Sequence, residues 1–514
     1  MSTAVKPRKM IFTGANLNGC VTNPGATSKM RVGVLYVLCV LLPLVGVLWI
    51  LHAGARLAPP VTAAVARTSN SFPASSIVLR PAIFLVQIIV IIAASRILGA
   101  VLRKLGQPRV IGEMLAGLIL GPSLLGLLAP NVYEWLFPFG TVRFLSALAQ
   151  TGLVLFMFIV GMELDVNELR GRHRETFVVS QASIMVPMLA GTALALALYR
   201  KFAVVGTEFT TFALFLGCAM SITALPVLAR ILRESNLGRS TFGSTALGCA
   251  AIADVSAWII FAITISIARD DSTNTQTPLW RSIAALAVYL FVMVAVVRPV
   301  LHKICARWRD QKSNEQSLSP DQLGAVLLIM LASAAATELL KIHAIFGAFV
   351  AGVMMPRNKS VSESVSSRLD DLLSILLLPL FFAYAGLRTN VGALNSLQDW
   401  MVCGMIIAVA VISKIGSCVI AGRSTGMPLR TATGLGVLMN ARGLMELVLL
   451  TIGLQLGIIT PQLFTIMFIM AIFTTAITSP LFHRVMQKRQ EQPAAQSELA
   501  SNRASYPAVA SLSV

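Results

Sequence analysis

Fourteen apolar runs, separated by short polar or basic loops, occupy most of this 514-residue chain. They lie at about 34–52, 81–102, 110–128, 143–163, 176–199, 209–232, 240–268, 279–301, 321–340, 343–356, 369–388, 400–422, 430–455 and 461–486. A helix needs roughly 20 mostly apolar residues to cross a bilayer. In hydrocarbon its backbone must satisfy its own hydrogen bonds. These runs therefore predict an all-α polytopic membrane protein. Only 12% of the residues are charged and 56% are apolar, whereas soluble domains hold about 25% charged residues. That balance excludes a soluble enzyme, a disordered chain and a disulfide-stapled secreted domain. The run at 343–356 is short for a full span. It is expected to borrow residues from its neighbours or to form a half-helix.

Lys and Arg number 41 against 22 Asp and Glu, a net charge of +19. In a soluble protein such an excess suggests nucleic acid. With both termini inside, 27 of the basic residues fall in cytoplasmic segments and 10 in outer ones. Cytoplasmic loops collect Lys and Arg, so the topology accounts for the charge and no nucleic-acid partner is required. Arg103, Lys104, Arg109, Arg230 and Arg239 lie inside; Arg56, Arg200, Lys201, Arg269 and Lys341 lie outside. The run at 240–268 thus leads outward from the cytoplasm. The seven cysteines, Cys20, Cys39, Cys218, Cys249, Cys305, Cys403 and Cys418, form no CxxC pair. Neither a disulfide nor a zinc-type site is expected.

Three regions follow. Residues 1–79 hold a basic tail, an extra hydrophobic helix and a polar linker. The helix reads as an uncleaved anchor, with a cleaved signal peptide as the alternative. Residues 80–486 form the transmembrane domain, with a hydrophilic cytoplasmic linker expected at 302–320. Residues 487–514 read as a short disordered tail. Setting the first run aside leaves 13 spans, six on each side of 279–301 and therefore opposite in orientation. Inverted repeats of this kind build many secondary transporters, with the site at the repeat interface.

Ionisable residues deep in a span cost a few kcal/mol or more and point to function. Asp254 sits near the midpoint of 240–268, in Gly248-Cys249-Ala250-Ala251-Ile252-Ala253-Asp254-Val255-Ser256-Ala257-Trp258. A carboxylate held away from water needs a counter-charge, which a proton or a cation can supply. The structural alternative is a fixed pair with a base on another helix. Lys414, near the middle of 400–422, is that partner or a second titrating group. Arg442 and Glu446 are spaced i, i+4, with Asn440 and Gly443 marking an interruption. They form a structural ion pair or belong to the site. Glu338 is a further candidate for coupling, with an interfacial pair to Lys341 as the plainer reading. Glu113 and Glu163, at cytoplasmic ends of runs, read as interfacial.

In Ser221-Ile222-Thr223-Ala224-Leu225-Pro226 a proline falls in mid-run. It removes a helical hydrogen bond and frees carbonyls around Ile222 and Thr223. Those carbonyls, with the hydroxyls of Ser221 and Thr223, are hard oxygen ligands suited to Na⁺ or K⁺. The interruption at Asn440 occupies the corresponding run of the second half.

The chain here resembles the monovalent cation:proton antiporter-2 family, over about 80–486. The resemblance rests on Leu105-Gly106-Gln107-Pro108-Arg109-Val110-Ile111-Gly112-Glu113, Gly117-Leu118-Ile119-Leu120-Gly121-Pro122 and Phe158-Ile159-Val160-Gly161-Met162-Glu163-Leu164. It also rests on Ser221 to Arg230, His343-Ala344-Ile345-Phe346-Gly347-Ala348-Phe349-Val350-Ala351-Gly352, Pro379-Leu380-Phe381-Phe382 with Gly386-Leu387, and Asn440-Ala441-Arg442-Gly443-Leu444-Met445-Glu446.

The resemblance implies 13 core transmembrane helices in two inverted repeats, with two crossing broken helices. It implies a homodimer in the cytoplasmic membrane and an elevator-like cycle. It puts the ion and proton carboxylate at Asp254, the unwound cross at Thr223 and Asn440, and an embedded base at Lys414. Family members carry Asp, Asn or Gln before this carboxylate, whereas this chain has Ala253. One carboxylate carries one proton or one monovalent cation, so the expectation is electroneutral exchange of K⁺ or Na⁺ for protons, without a cofactor. The rival functions are an uncoupled cation channel on the same fold, a proton-coupled exporter of an organic molecule, and a sensor that no longer transports. No nucleophile–base arrangement suggests an enzyme.

Overall fold

The computed structural model describes residues 37–57, 81–163, 173–235, 237, 240–273, 279–310, 319–340, 343–356 and 359–487. The basic tail, the polar linker before residue 81, Cys20, Lys341 and the C-terminal tail lie outside these residues. Among the described residues the secondary structure is helical, apart from one bridge between Ala203 and Ile459.

The extra first helix is α1 (Val37–Gly54). The following helices are α2 (Pro81–Lys104), α3 (Arg109–Leu120), the short α4 (Leu125–Leu128) and α5 (Pro130–Leu136), α6 (Phe139–Glu163) and α7 (His173–Phe202). Next come α8 (Phe209–Ser221), α9 (Leu225–Glu234) and α10 (Thr241–Thr273). Helix α11 runs from Leu279–Val292 through a π turn at Met293–Val297 into Arg298–Asp310. The second half holds α12 (Pro320–Leu339), α13 (Ala344–Met354) and α14, whose segments are Lys359–Leu372, Leu373–Leu377 and Leu378–Leu387. It ends with α15 (Leu397–Ser424), α16 (Leu429–Met439), α17 (Leu444–Gln455) and α18 (Pro461–Gln487).

Among the described residues, eleven helices are long and apolar enough to cross a membrane, and the bent pair α16–α17 makes twelve. The sequence count of 13 plus one is not reached on that measure. The shortfall falls on two runs. The run at 209–232 divides into α8 and α9, and the ten residues of α9 include Arg230, Arg233 and Glu234. The run at 343–356 yields only the 11 residues of α13. Within the linker expected at 302–320, helix continues to Asp310 and resumes at Pro320. Residues 311–318 lie outside the described set. Helix α14 likewise begins ten residues before its apolar run, on the polar segment Lys359–Leu372.

Local chemistry explains the boundaries. Ser319 and Gln322 form a capping box at the start of α12, with Pro320 in its first turn. The turn from α2 to α3 needs Gly106 at φ +73°, and Pro108 then starts the next helix. The turn from α15 to α16 repeats this pattern with Gly426 at φ +92° and Pro428.

The more extensive helix contacts fall into two bundles. One contains α1, α7–α10 and α15–α18; the other contains α2–α6 and α11–α14. Between them α3 touches α18, α14 touches α17, and α10 touches α11. Within each bundle, small residues let backbones approach closely. A Cβ added at Gly112, Gly117, Gly386 or Gly191 would meet the neighbouring backbone of α2–α3, α3–α14 or α7–α8. The second half repeats these contacts as α12–α13 at Gly347, α13–α6 at Gly352 and Gly161, and α15–α16 at Gly436.

Gly352→Leu, which would drive a side chain into the Phe158 carbonyl, is expected to cost about 1–3 kcal/mol by overpacking. Gly324→Ala, at a position with open space around it, is expected to be neutral or slightly stabilising. Thermal unfolding of the detergent-solubilised protein distinguishes the two.

Candidate ion-binding site

The proline of the first broken helix stands at the second position of α9, where its missing N–H costs no helical bond. The break spans residues 222–224, with Ile222 in extended conformation. The second break spans 440–443. The two breaks meet. The Ala224 N–H donates to the Ala441 carbonyl at 2.9 Å, and the Thr223 hydroxyl donates to the Met439 carbonyl at 3.1 Å.

The last carbonyls of a helix lack partners and carry a negative partial charge. In α8 those of Ala219 and Met220 accept from Arg442 Nη1 and Nη2, at 2.9 and 2.8 Å. The Ser221 carbonyl accepts from Lys414 Nζ, which also donates to the Ser183 carbonyl at 2.8 Å. The second half of the chain therefore caps the broken helix of the first half with two buried cations. The Ser221 hydroxyl is used internally, donating to Gly217 and Ile184 carbonyls. Thus Ser221 presents neither a free carbonyl nor a free hydroxyl proton.

Arg442 and Glu446 do form an ion pair, at 3.3 Å and essentially without exposure, despite the helix break between them. The break fixes that geometry. Thr475 holds it from α18, accepting from the Arg442 N–H at 3.0 Å and donating to its carbonyl at 2.6 Å. Glu446 occupies the first turn of α17, the positive end of that helix. Neither of its oxygens accepts a hydrogen bond from the described residues.

Asp254 is 2% exposed in the middle of α10, and its Oδ2 is buried without a hydrogen-bond partner among the described residues. No ion pair joins it to Lys414, whose protons are directed at carbonyls. The Asn440 Oδ1 is likewise buried and unpartnered. Burying such oxygens without a partner costs about 1–3 kcal/mol for a neutral group and more for a charged one. Unpartnered oxygens from Asp254 and Asn440 suit a desolvated monovalent cation.

Glu338 stands apart. It is exposed and accepts from the Ala344 N–H at 2.8 Å, beyond the end of α12. The structure does not bring it to the crossing, so the coupling role expected for it is not supported by position. Glu113 is buried and paired with Arg109 at 3.2 Å on the first turns of α3. The Glu163 side chain lies outside the described residues.

Several contributors escaped the sequence reading. The Ser183 carbonyl has no sequence signal, because any residue supplies one. Thr475 belongs to a cluster with Thr474, Thr478 and Ser479, a run of hydroxyls in an apolar span that could have been noticed. Gln181, which donates to the Ser256 hydroxyl at 2.8 Å across α7 and α10, was visible as an amide in mid-run.

A bundle of membrane helices with two broken helices crossing beside a buried, unpartnered carboxylate defines a membrane transport protein. The profile described as "Sodium/hydrogen exchanger, transmembrane" matches residues 88–488. The chain is 40% identical over 404 residues to the Na(+)/H(+) antiporter NhaS4 of Synechocystis sp., covering 78% of this chain and 97% of that protein. It is 33% identical over 407 residues to the K(+)/H(+) antiporter 1 of Saccharomyces cerevisiae, covering 78% of this chain and 46% of that protein. It therefore spans about half the length of the yeast relative. The fold matches that of the sodium proton antiporter MjNhaP1 from Methanocaldococcus jannaschii, with a TM-score of 0.56 and 14% identity over 78% of this chain and 96% of that one. The chain belongs to the sodium/hydrogen exchanger family.

Removing one member of a buried ion pair leaves an uncompensated charge, at about 3–5 kcal/mol. Arg442→Met is expected to destabilise the protein by that amount in thermal unfolding. The double variant Arg442→Met/Glu446→Leu is expected to recover most of the loss but to remain below wild type. The remainder reflects the α8 carbonyls of Ala219 and Met220, which lose their donors. Full recovery would show that the arginine does not cap α8.

Proposed function

We propose that the chain is a secondary antiporter that exchanges a monovalent cation, K⁺ or Na⁺, for a proton across the cytoplasmic membrane. The buried, unpartnered carboxylate of Asp254 carries this reading. The carboxylate holds either a proton or a cation, never both, and competition for that one group couples the two fluxes. Thr223, Ser221 and Asn440 surround the crossing; Asn440 offers a free oxygen, and the Thr223 oxygen keeps lone pairs after donating to Met439.

Exchange is one-to-one and electroneutral. Ala253 adds no second carboxylate, Arg442 and Glu446 neutralise one another, and Lys414 holds its protons against two carbonyls. An uncompensated charge would couple to about 2.3 kcal/mol per 100 mV of membrane potential. The relatives bearing the names of Na⁺/H⁺ and K⁺/H⁺ antiporters support both cations as candidates. The recurrence of α2–α3, α3–α14 and α7–α8 contacts as α12–α13, α13–α6 and α15–α16 supports two inverted repeats. A homodimer completes the proposal.

The test uses proteoliposomes with a pH-sensitive dye inside and an imposed proton gradient. Na⁺ or K⁺ is expected to dissipate the gradient at an initial rate that does not vary with clamped membrane potential. Asp254→Asn, which keeps the shape and removes the exchangeable charge, is expected to reduce the response to that of empty liposomes. Full exchange by folded Asp254→Asn would overturn the assignment. A rate that rises with the potential would overturn electroneutrality. Cation flux without opposite proton movement would indicate a channel.

A further inference from the structure

Asp254 is bounded differently on its two sides along α10. With the cytoplasmic end of α10 at Thr241, the turn toward the cytoplasm presents Ala250 and Ala251. The turn toward the outside presents Ala257 and Trp258. Residues four apart lie on one face of a helix, about 6 Å along its axis. The indole of Trp258 therefore lies directly outward of the carboxylate.

Trp258 is 5% exposed, and it does not pack only within its own bundle. Its ring stacks on Phe349 of α13, with centroids 5.8 Å apart and 28° between planes. Phe261 meets it edge-on at 5.7 Å and 70°. Phe349 is also buried and belongs to the second bundle, on a helix held rigidly by Gly347 against Ser333 and by Gly352 against Phe158. The stack thus spans the seam between the two bundles, on the outer side of Asp254. The two stacked ring faces present no polar group to one another, and apolar constrictions exclude ions by dewetting.

The geometry points to Trp258 and Phe349 as the outer gate of this transporter, a seal that closes Asp254 to the external side and must unstack before that side can load the site. The inference rests on the role of Asp254 proposed above. The bundles must separate at this seam for outward access, and the stack is a contact that such a movement breaks.

The gate is tested in proteoliposomes holding the full chain, by proton leak in the absence of Na⁺ and K⁺. Trp258→Ala and Phe349→Ala are each expected to raise this leak about tenfold, corresponding to about 1.4 kcal/mol off the barrier. The double variant is expected to leak no more than either single variant, because both open one seal. Trp258→Phe, which keeps an aromatic face, is expected to leak less than Trp258→Ala.

A second measurement introduces Ala257→Cys into a chain whose native cysteines are replaced. Its reaction rate with a membrane-impermeant thiol reagent added outside is expected to rise when Phe349→Ala is added. Gel filtration and thermal unfolding establish that each variant is folded; if Trp258→Ala is not, Phe349→Ala and Trp258→Phe carry the test. Folded variants with wild-type tightness and wild-type labelling would overturn the gate, as would additive leaks in the double variant. Leak and labelling need no transported cation. A wild type that fails to exchange Na⁺ or K⁺ would therefore count against the proposed antiport and leave the gate to be judged by these two readouts.

Discussion

Two cationic side chains from the second half of the chain neutralise the broken end of a helix in the first half, and the site is organised around that contact. A helix that stops in mid-membrane leaves carbonyls pointing into a region without water to bind them. In α8 three consecutive carbonyls, from Ala219 to Ser221, are taken by Arg442 and Lys414. Those two cations would themselves be costly in hydrocarbon. Each makes the other's burial tolerable: the helix end supplies partial negative charge, and the side chains supply the missing donors. Neither the break in α8 nor the buried Lys414 would be stable alone.

The two breaks are capped in different ways, and the difference decides where a cation can sit. The end of α16 receives a hydroxyl from Thr223 at Met439, and the break after it an amide from Ala224 at Ala441, both neutral. A transported cation approaching α8 would meet two resident positive charges. Asn440 and Asp254 instead offer oxygens without a hydrogen-bond partner among the described residues. The sequence reading offered the carbonyls around Ile222 and Thr223 to a transported ion; the neighbouring Ser221 carbonyl goes to Lys414. The carboxylate of Asp254, the amide of Asn440 and the lone pairs of the Thr223 hydroxyl are the oxygens of the site proposed above, and one proton and one cation compete there for the single carboxylate.

Much of this was legible in one dimension because the bilayer is a demanding solvent. Apolar runs of the right length follow from the cost of placing polar groups in hydrocarbon, basic loops on one side follow from the bias of cytoplasmic loops toward Lys and Arg, and a lone Asp254 in mid-run stands out against that cost. Helix boundaries were less legible where polarity and helicity part company. The segments Lys359–Leu372 and Arg298–Asp310 are helical beyond the apolar stretch, since propensity does not stop at the membrane surface. Partnerships were least legible. Lys414 and Asp254 invited pairing on charge alone, yet Lys414 finds backbone carbonyls, which every residue possesses and no sequence advertises. Glu338 was conspicuous as an acid in a span, and three-dimensional placement removed it from the crossing.

The same asymmetry of information applies to the seam between the bundles. Glycine can be read from sequence as a small residue, but its partner cannot. Only the fold shows that Gly117 meets Gly386 and that Gly161 meets Gly352. These contacts hold together the bundle that carries Phe349, while Lys414, Arg442 and Thr475 hold together the bundle that carries Asp254. Contacts that tie each bundle internally are backbone-close or charge-assisted, both expensive to break. The contact between Trp258 and Phe349 is a stack of apolar rings, worth about 0.5–1.5 kcal/mol beyond the area it buries. An interface of that strength can open and close in a transport cycle without disturbing either bundle. A buried ion pair or a glycine-mediated crossing placed at the same seam would hold the two bundles in one arrangement.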